Sequence, residues 1–415
     1  MLRLPRIASR LSMASPQTEL SSSPSTRKLI LAGQIAFFPT GILTTLLGPM
    51  LPILIARWAM NDTQAGNLFL VQFLASMVGV QLSGVLLARR GYRPAFLSGL
   101  LLMACGVSTL YLGSLWLGLA SVAIYGLGLG LIIPTDNLLV AEISAGPELE
   151  SASDSGASRA SAVSLLNFFW GLGAVFCALM VAWTAAHQLL PFFLGAVAVS
   201  LVVLALAMRN LPFPPAAPAA GSSSASASSS SWRAWVKSPA VWLFATVFFL
   251  YPGAETAVGG WIGSYVSRLG VSGEAIASMM PAFFWSALTV GRAFGTAFLH
   301  RFSERRVLRA ACGVGAAAIA LMLWAPSLAG VIVGALITGL SFATLYPITV
   351  ARLSQRFGVA ARSIGAFMFS LASLGPAVIP WLVGVTSHAT GNLRAGMFLP
   401  LGATVILFLI HLFDW

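Results

Sequence analysis

The sequence predicts an all-α integral membrane protein of twelve transmembrane helices, arranged as two six-helix bundles. Three observations carry this. Of the 415 residues, 58% are hydrophobic and only 8% are charged, against about 25% charged in a soluble chain. The apolar residues gather in runs that reach the roughly 20 residues a helix needs to cross a bilayer. The runs fall six on either side of a polar break, and the short alternating segments of a membrane β-barrel are absent.

In order, the runs lie at about 30–56, 65–88, 95–115, 117–141, 163–186 and 190–208, then at 239–267, 275–298, 307–325, 328–351, 363–387 and 394–413. They divide the chain into a disordered cytoplasmic tail (1–28), an amino-terminal bundle (29–209), a flexible cytoplasmic linker (210–238) and a carboxy-terminal bundle (239–415). The linker contains PFPPAAPAAGSSSASASSSS from Pro212 to Ser231, a composition that cannot bury enough apolar surface to fold. The tail is rich in Arg and Ser and lacks the apolar core of a secretory signal; Met13 offers an alternative start. A second polar segment, Gly146 to Ser161, reads as a solvated loop.

Charge placement sets the orientation. Of the 23 Lys and Arg residues, 19 fall in the tail, the linker and the loops on the same side of the membrane. Arg57, Arg268 and Arg394 lie on the other side and Arg292 lies within a span. Basic residues stay on the cytoplasmic side, so both termini are expected in the cytoplasm of a cell whose inner membrane holds the chain. The net charge of +12 is then topology and no nucleic-acid footprint. Cys105, Cys177 and Cys312 sit in three different runs and read as packing residues. No phosphate loop, metal-ligand cluster or Ser/His/Asp set occurs, which argues against an enzyme and against any cofactor or metal. No filter-like segment suggests a channel.

The most unusual run is Tyr251 to Tyr265, YPGAETAVGGWIGSY. It places Glu255 near the middle of a span, where a carboxylate costs about 3 kcal/mol or more unless it is protonated, paired or facing water. Pro252, Gly253, Gly259 and Gly260 loosen the helix around it, and Trp261 and Tyr265 offer rings on which a flat solute stacks. Proton handling or solute binding is one reading of Glu255; a neutral acid bonded to a neighbour is the other. Asp136 is a second acid within a span. It lies six residues before Glu142, about 9 Å deeper at a rise of about 1.5 Å per residue, and is the candidate proton site of the amino-terminal half. Arg292 is a candidate member of a cytoplasmic gate, paired with an acid or with backbone carbonyls. Glu142 falls near Arg89 and Arg93 in projected depth and is expected to bridge to one of them there.

The stretch Gly84-Val-Leu-Leu-Ala-Arg89-Arg90-Gly91-Tyr-Arg93 resembles the loop motif of the major facilitator superfamily. Gly84, Arg89, Gly91 and Arg93 match; Ala88 stands where the family's aspartate is usual and Tyr92 replaces a basic residue. Gly126-Leu-Gly-Leu-Gly130 before Pro134-Thr-Asp-Asn137, Ser164-Leu-Leu-Asn167 before Gly171-Leu-Gly173, Gly253-Ala-Glu255 before Trp261, Gly339 before Tyr346-Pro347, and Gly375-Pro-Ala-Val-Ile-Pro380 before Gly384 are similar to the fucose–proton symporter-like branch. The resemblance implies alternating access by two rocking bundles, with a central site. It favours Asn137 over Asp136 as the cavity-facing residue, and it raises Asn167 and Trp261, which fall within matched stretches, among the candidate solute contacts. The others are Gln72, Trp170, Tyr265 and Tyr346. The first helix lacks the acid such symporters carry, Leu47-Gly48-Pro49 occupying that region. The function expected is proton-coupled symport of a sugar or similar small polar solute by a chain that suffices as a monomer. The alternatives are proton-coupled efflux of amphipathic compounds and a membrane solute sensor that does not transport.

Overall fold

In a computed structural model, the structure describes residues 24–144, 152–214, 237–270, 273–325, 327–358 and 361–413. The described chain is helical from end to end, with no strand among the described residues. The expected tail is described only from residue 24, and most of the linker and residues 145–151 lie outside the described residues. Residues 152–161 of the segment expected as a solvated loop instead begin the helix Ala152–Ala186.

The amino-terminal bundle comprises α1 (Pro24–Thr45), α2 (Leu47–Trp58), α3 (Asp62–Arg90), α4 (Tyr92–Thr109), α5 (Leu115–Ser144), α6 (Ala152–Ala186) and α7 (Leu190–Met208). The carboxy-terminal bundle comprises α8 (Pro239–Leu269), α9 (Glu274–Arg301), α10 (Glu304–Trp324), α11 (Leu328–Phe342), α12 (Leu345–Phe357), α13 (Ala361–Thr390) and α14 (Leu393–Leu412). The pairs α1–α2 and α11–α12 each form one broken span, so fourteen described helices make twelve crossings.

Proline explains both breaks. Pro49 lacks the N–H that would bond the Thr45 carbonyl, and Pro347 lacks the one that would bond Ala343. The chain steps at Leu46 and at Ala343–Thr344. At the end of α2 the chain reverses through Ala59, at φ 47°. Asn61 then caps α3: its side chain accepts from Gln64 N while the Gln64 side chain accepts from Asn61 N. This reciprocal cap satisfies two otherwise orphaned donors and fixes where Asp62 begins the helix.

Two long helix pairs join the bundles: α3 runs along α13, and α6 along α9. The half-span α2 packs on α8 and α9. This third contact lies toward the face away from the chain termini, and it is close enough to be backbone on backbone. A Cβ on Gly48 would stand 2.6 Å from the Gly259 carbonyl oxygen. Along its length α5 packs on α1, α3, α4 and α6, while toward the termini-bearing face α12 packs on α8, α10, α11 and α13.

Candidate functional site

Glu255 and Tyr251 lie four residues apart on α8, hence on the same helix face. The Tyr251 hydroxyl donates to the Glu255 carboxylate and stands 3.2 Å from the Phe342 carbonyl. Across from them on α9, Arg292 Nη2 lies 3.6 Å from Glu255 Oε2. The Arg292 guanidinium sits over the Trp170 ring of α6, 5.5 Å from its centroid. Trp170 meets Trp285 edge to face at 5.6 Å, and its indole nitrogen is 3.4 Å from Thr44 Oγ1 on α1. Tyr346, at the start of α12, stacks obliquely on Tyr251 at 6.4 Å. A carboxylate, a guanidinium and an aromatic wall thus meet between the bundles. Glu255 and Arg292 retain 12% and 23% of their side-chain exposure.

The structure brings Glu255, Arg292, Trp170 and Tyr346 together and places the other predicted residues elsewhere. Arg292 lies deep within its span, paired with an acid. Helix α9 continues to Arg301, nine residues beyond, which sets Arg292 about 14 Å inside its end at a rise of about 1.5 Å per residue. Glu142 does not bridge to Arg89 or Arg93: Tyr92 donates to its carboxylate, and both arginines are exposed. The tyrosine that replaces a basic residue in the loop motif thus supplies the contact.

Trp261 is fully buried. Its indole N–H donates to the Pro380 carbonyl at 2.9 Å, and its ring meets Phe69 of the other bundle at 6.2 Å, so it seals the interface and offers no open ring. Tyr265 is buried, with its hydroxyl 3.2 Å from the Leu323 carbonyl. Gln72 spends both ends of its amide inside the amino-terminal bundle, donating to Thr44 O at 3.1 Å and accepting from the Tyr125 hydroxyl at 3.0 Å. Asn137 and Asn167 are half-buried, and each donates its side-chain N–H to the carbonyl four residues back, Ile133 and Val163.

Asp136 is wholly buried, and neither carboxylate oxygen has a hydrogen-bond partner among the described residues. It faces α1, where a Cβ on Gly33 would come within 2.5 Å of its Oδ1. The 100° step between neighbours on a helix accordingly leaves Asn137 as the more open of the two.

Residues that sequence reasoning did not single out complete the picture. Tyr251, Thr44 and Trp285 belong to the central cluster; of these, Tyr251 was legible from its four-residue spacing to Glu255. At the face away from the termini, Asp62 of α3 pairs with Arg268 of α8. Arg268 Nη1 donates to Asp62 Oδ2 at 2.8 Å, a second guanidinium nitrogen reaches Oδ1, and the Ser387 hydroxyl of α13 donates to the same carboxylate. Asp62–Arg268 joins the two bundles, whereas Glu255–Arg292 lies within the carboxy-terminal one.

Two six-helix bundles that meet over a partly exposed ion pair and an aromatic wall, with a second ion pair joining them at one face, have the architecture of a membrane transporter. Residues 35–380 match the model of the Major Facilitator Superfamily, and the chain belongs to that family. Among its relatives is a glucose/galactose transporter of Brucella abortus, 25% identical over 393 residues that cover 90% of this chain and 91% of that one. Among solved structures, the fold is similar to the Escherichia coli fucose:proton symporter, with a TM-score of 0.63, 18% identity and coverage of 93% and 98%. It is likewise similar to a D-xylose-proton symporter, with a TM-score of 0.67, 14% identity and coverage of 92% and 96%.

Proposed function

We propose that the chain is a secondary active transporter that moves a sugar or similar small polar solute together with protons, by alternating access of its two bundles. The observation that carries this is Glu255. It is an acid near mid-span, hydrogen-bonded by Tyr251, paired loosely with Arg292 and still partly exposed. Protonated, it is cheap in a dry, closed site; ionised, it needs water or Arg292. That difference between states links proton binding to conformation. The names of the Brucella relative and of the two symporters of similar fold support a sugar-like solute. In this reading both termini are cytoplasmic, the Asp62–Arg268 pair closes the outer face, and one chain is a complete unit.

Asp136 is a second proton site in this reading. A carboxylate with no donor inside the membrane costs about 3 kcal/mol or more, so a bound proton fits its surroundings. Replacing Asp136 by Asn should abolish pH-driven accumulation; transport that still follows the pH gradient in the variant would take Asp136 off the proton path.

The test of the main reading is external pH in a weakly buffered suspension of proteoliposomes. Addition of the right solute should alkalinise the medium, and Glu255→Gln should cut accumulation against a gradient at least tenfold while leaving solute exchange intact. Undiminished accumulation in that variant would sink the coupling role of Glu255. One observation favours efflux of amphipathic compounds as a second reading. A groove of about 580 Å³, lined almost wholly by apolar groups including Phe38, Phe168, Phe176 and Phe294, lies between α1, α6 and α9. Efflux predicts the opposite proton signal.

A further inference from the structure

We propose that the solute carries a carboxylate and that Arg292 is its anchor, Glu255 holding the guanidinium only while the site is empty. The inference rests on the proton-coupled reading above and narrows its solute class to hydroxylated acids of the sugar-acid kind.

Geometry gives the first argument. The Arg292–Glu255 contact is 3.6 Å, beyond the roughly 2.7–3.2 Å of a direct N–H···O bond. The close hydrogen bond to Glu255 comes from Tyr251 instead. Arg292 is also the more exposed partner, at 23% against 12%. Its planar group is held over Trp170, whose own N–H points to Thr44. A guanidinium presents a planar fork of donors that matches a carboxylate in a bidentate way.

Charge gives the second. Once Glu255 takes a proton, Arg292 is a cation inside the membrane with its partner neutralised, a costly state. A neutral solute leaves that cost standing. A carboxylate removes it, so the site is neutral both when empty, as the ion pair, and when loaded, as Arg292 with the anion beside protonated Glu255. Proton and anion then strengthen each other's binding, which is the linkage a symporter requires. The walls suit the rest of such a solute: Trp170 and Tyr346 offer ring faces to C–H groups. Trp285 Nε1, without a hydrogen-bond partner among the described residues, belongs to the same aromatic cluster.

The experiment uses matched pairs of sugars and their acids, each an aldose with the aldonate or uronate of the same carbon skeleton. They are added to proteoliposomes of the full chain with an external pH probe and with protein-free vesicles as control. At least one acid should alkalinise the medium at an initial rate tenfold or more above its neutral partner. Arg292→Gln should remove that signal. Arg292→Lys, which keeps the charge and loses the fork, should retain it with KM raised about tenfold. A neutral sugar that drives protons as well as its acid, or an Arg292→Gln variant with unchanged KM for the acid, would overturn the anchor and leave the coupling reading standing. Silence from both classes, with protein that elutes as one folded species, would overturn the coupling reading and the anchor with it.

Discussion

Replacing Asp62 by alanine should open the face away from the chain termini. Asp62 accepts two hydrogen bonds from Arg268 and one from Ser387, and these bonds tie α3 to α8 and α13, that is, one bundle to the other. Asp62 is 10% exposed and Arg268 39%, so solvent screens the pair on the arginine side and the Coulombic gain is modest. The hydrogen bonds to a charged acceptor remain, and losing them costs the closed state about 2 kcal/mol. If the open state gains nothing from the change, the ratio of closed to open falls about 30-fold. Pulsed electron resonance between spin labels at the ends of α3 and α8 on that face, in a background without the exposed Cys105, would read this as growth of a longer-distance population. Exchanging the charges, with Asp62→Arg and Arg268→Asp together, should recover part of the short-distance population. An unchanged distance distribution in Asp62→Ala would mean that the pair carries no closing energy.

That pair also shows where a sequence stops being informative. The twelve spans were legible because hydropathy and length are properties of contiguous residues, and the bilayer imposes both. The described helices follow the predicted runs closely, and the first and tenth runs each proved to be two helices, broken before Pro49 and Pro347. Glu255 was legible because an acid within a span is expensive and hence uncommon. Its partner was not. Arg292 was visible as a cation within a span, but its depth depended on where α9 ends, and apolar residues give helix boundaries poorly when the helix runs past the membrane edge. Asp62 and Arg268 lie 206 residues apart at span ends, where charges are ordinary, so nothing local marks them as partners. Trp261 misled for a related reason. A tryptophan beside two glycines suits a stacking platform and a tightly packed crossing equally well, and only the position of Phe69 and Pro380 decides between them.

The crossing of α2 and α8 leads to the second large effect. Gly48 and Gly259 let these helices touch backbone to backbone, and a methyl group on Gly48 would sit 2.6 Å from the Gly259 carbonyl oxygen, well inside van der Waals contact. Backbone cannot swing aside as a flexible side chain can, and packed interiors accept an added methyl group only by shifting, typically at about 1–3 kcal/mol. Gly48 lies between the bundles, and so the shift is available: the bundles part at this face. Gly48→Ala should therefore favour the state open on the side away from the termini without unfolding either bundle, and Gly48→Val should do so more strongly. Solute exchange and net accumulation should fall at least tenfold, while solute binding, measured by calorimetry on the purified protein, persists. Gly41 gives the contrast. Its Cβ would strike the Trp170 backbone within the amino-terminal bundle, where no rigid-body motion relieves the clash, so Gly41→Ala should lower thermal stability and binding together. If Gly48→Ala behaved like Gly41→Ala, losing binding along with stability, the α2–α8 crossing would be a fixed part of the fold and not a surface on which the two halves separate.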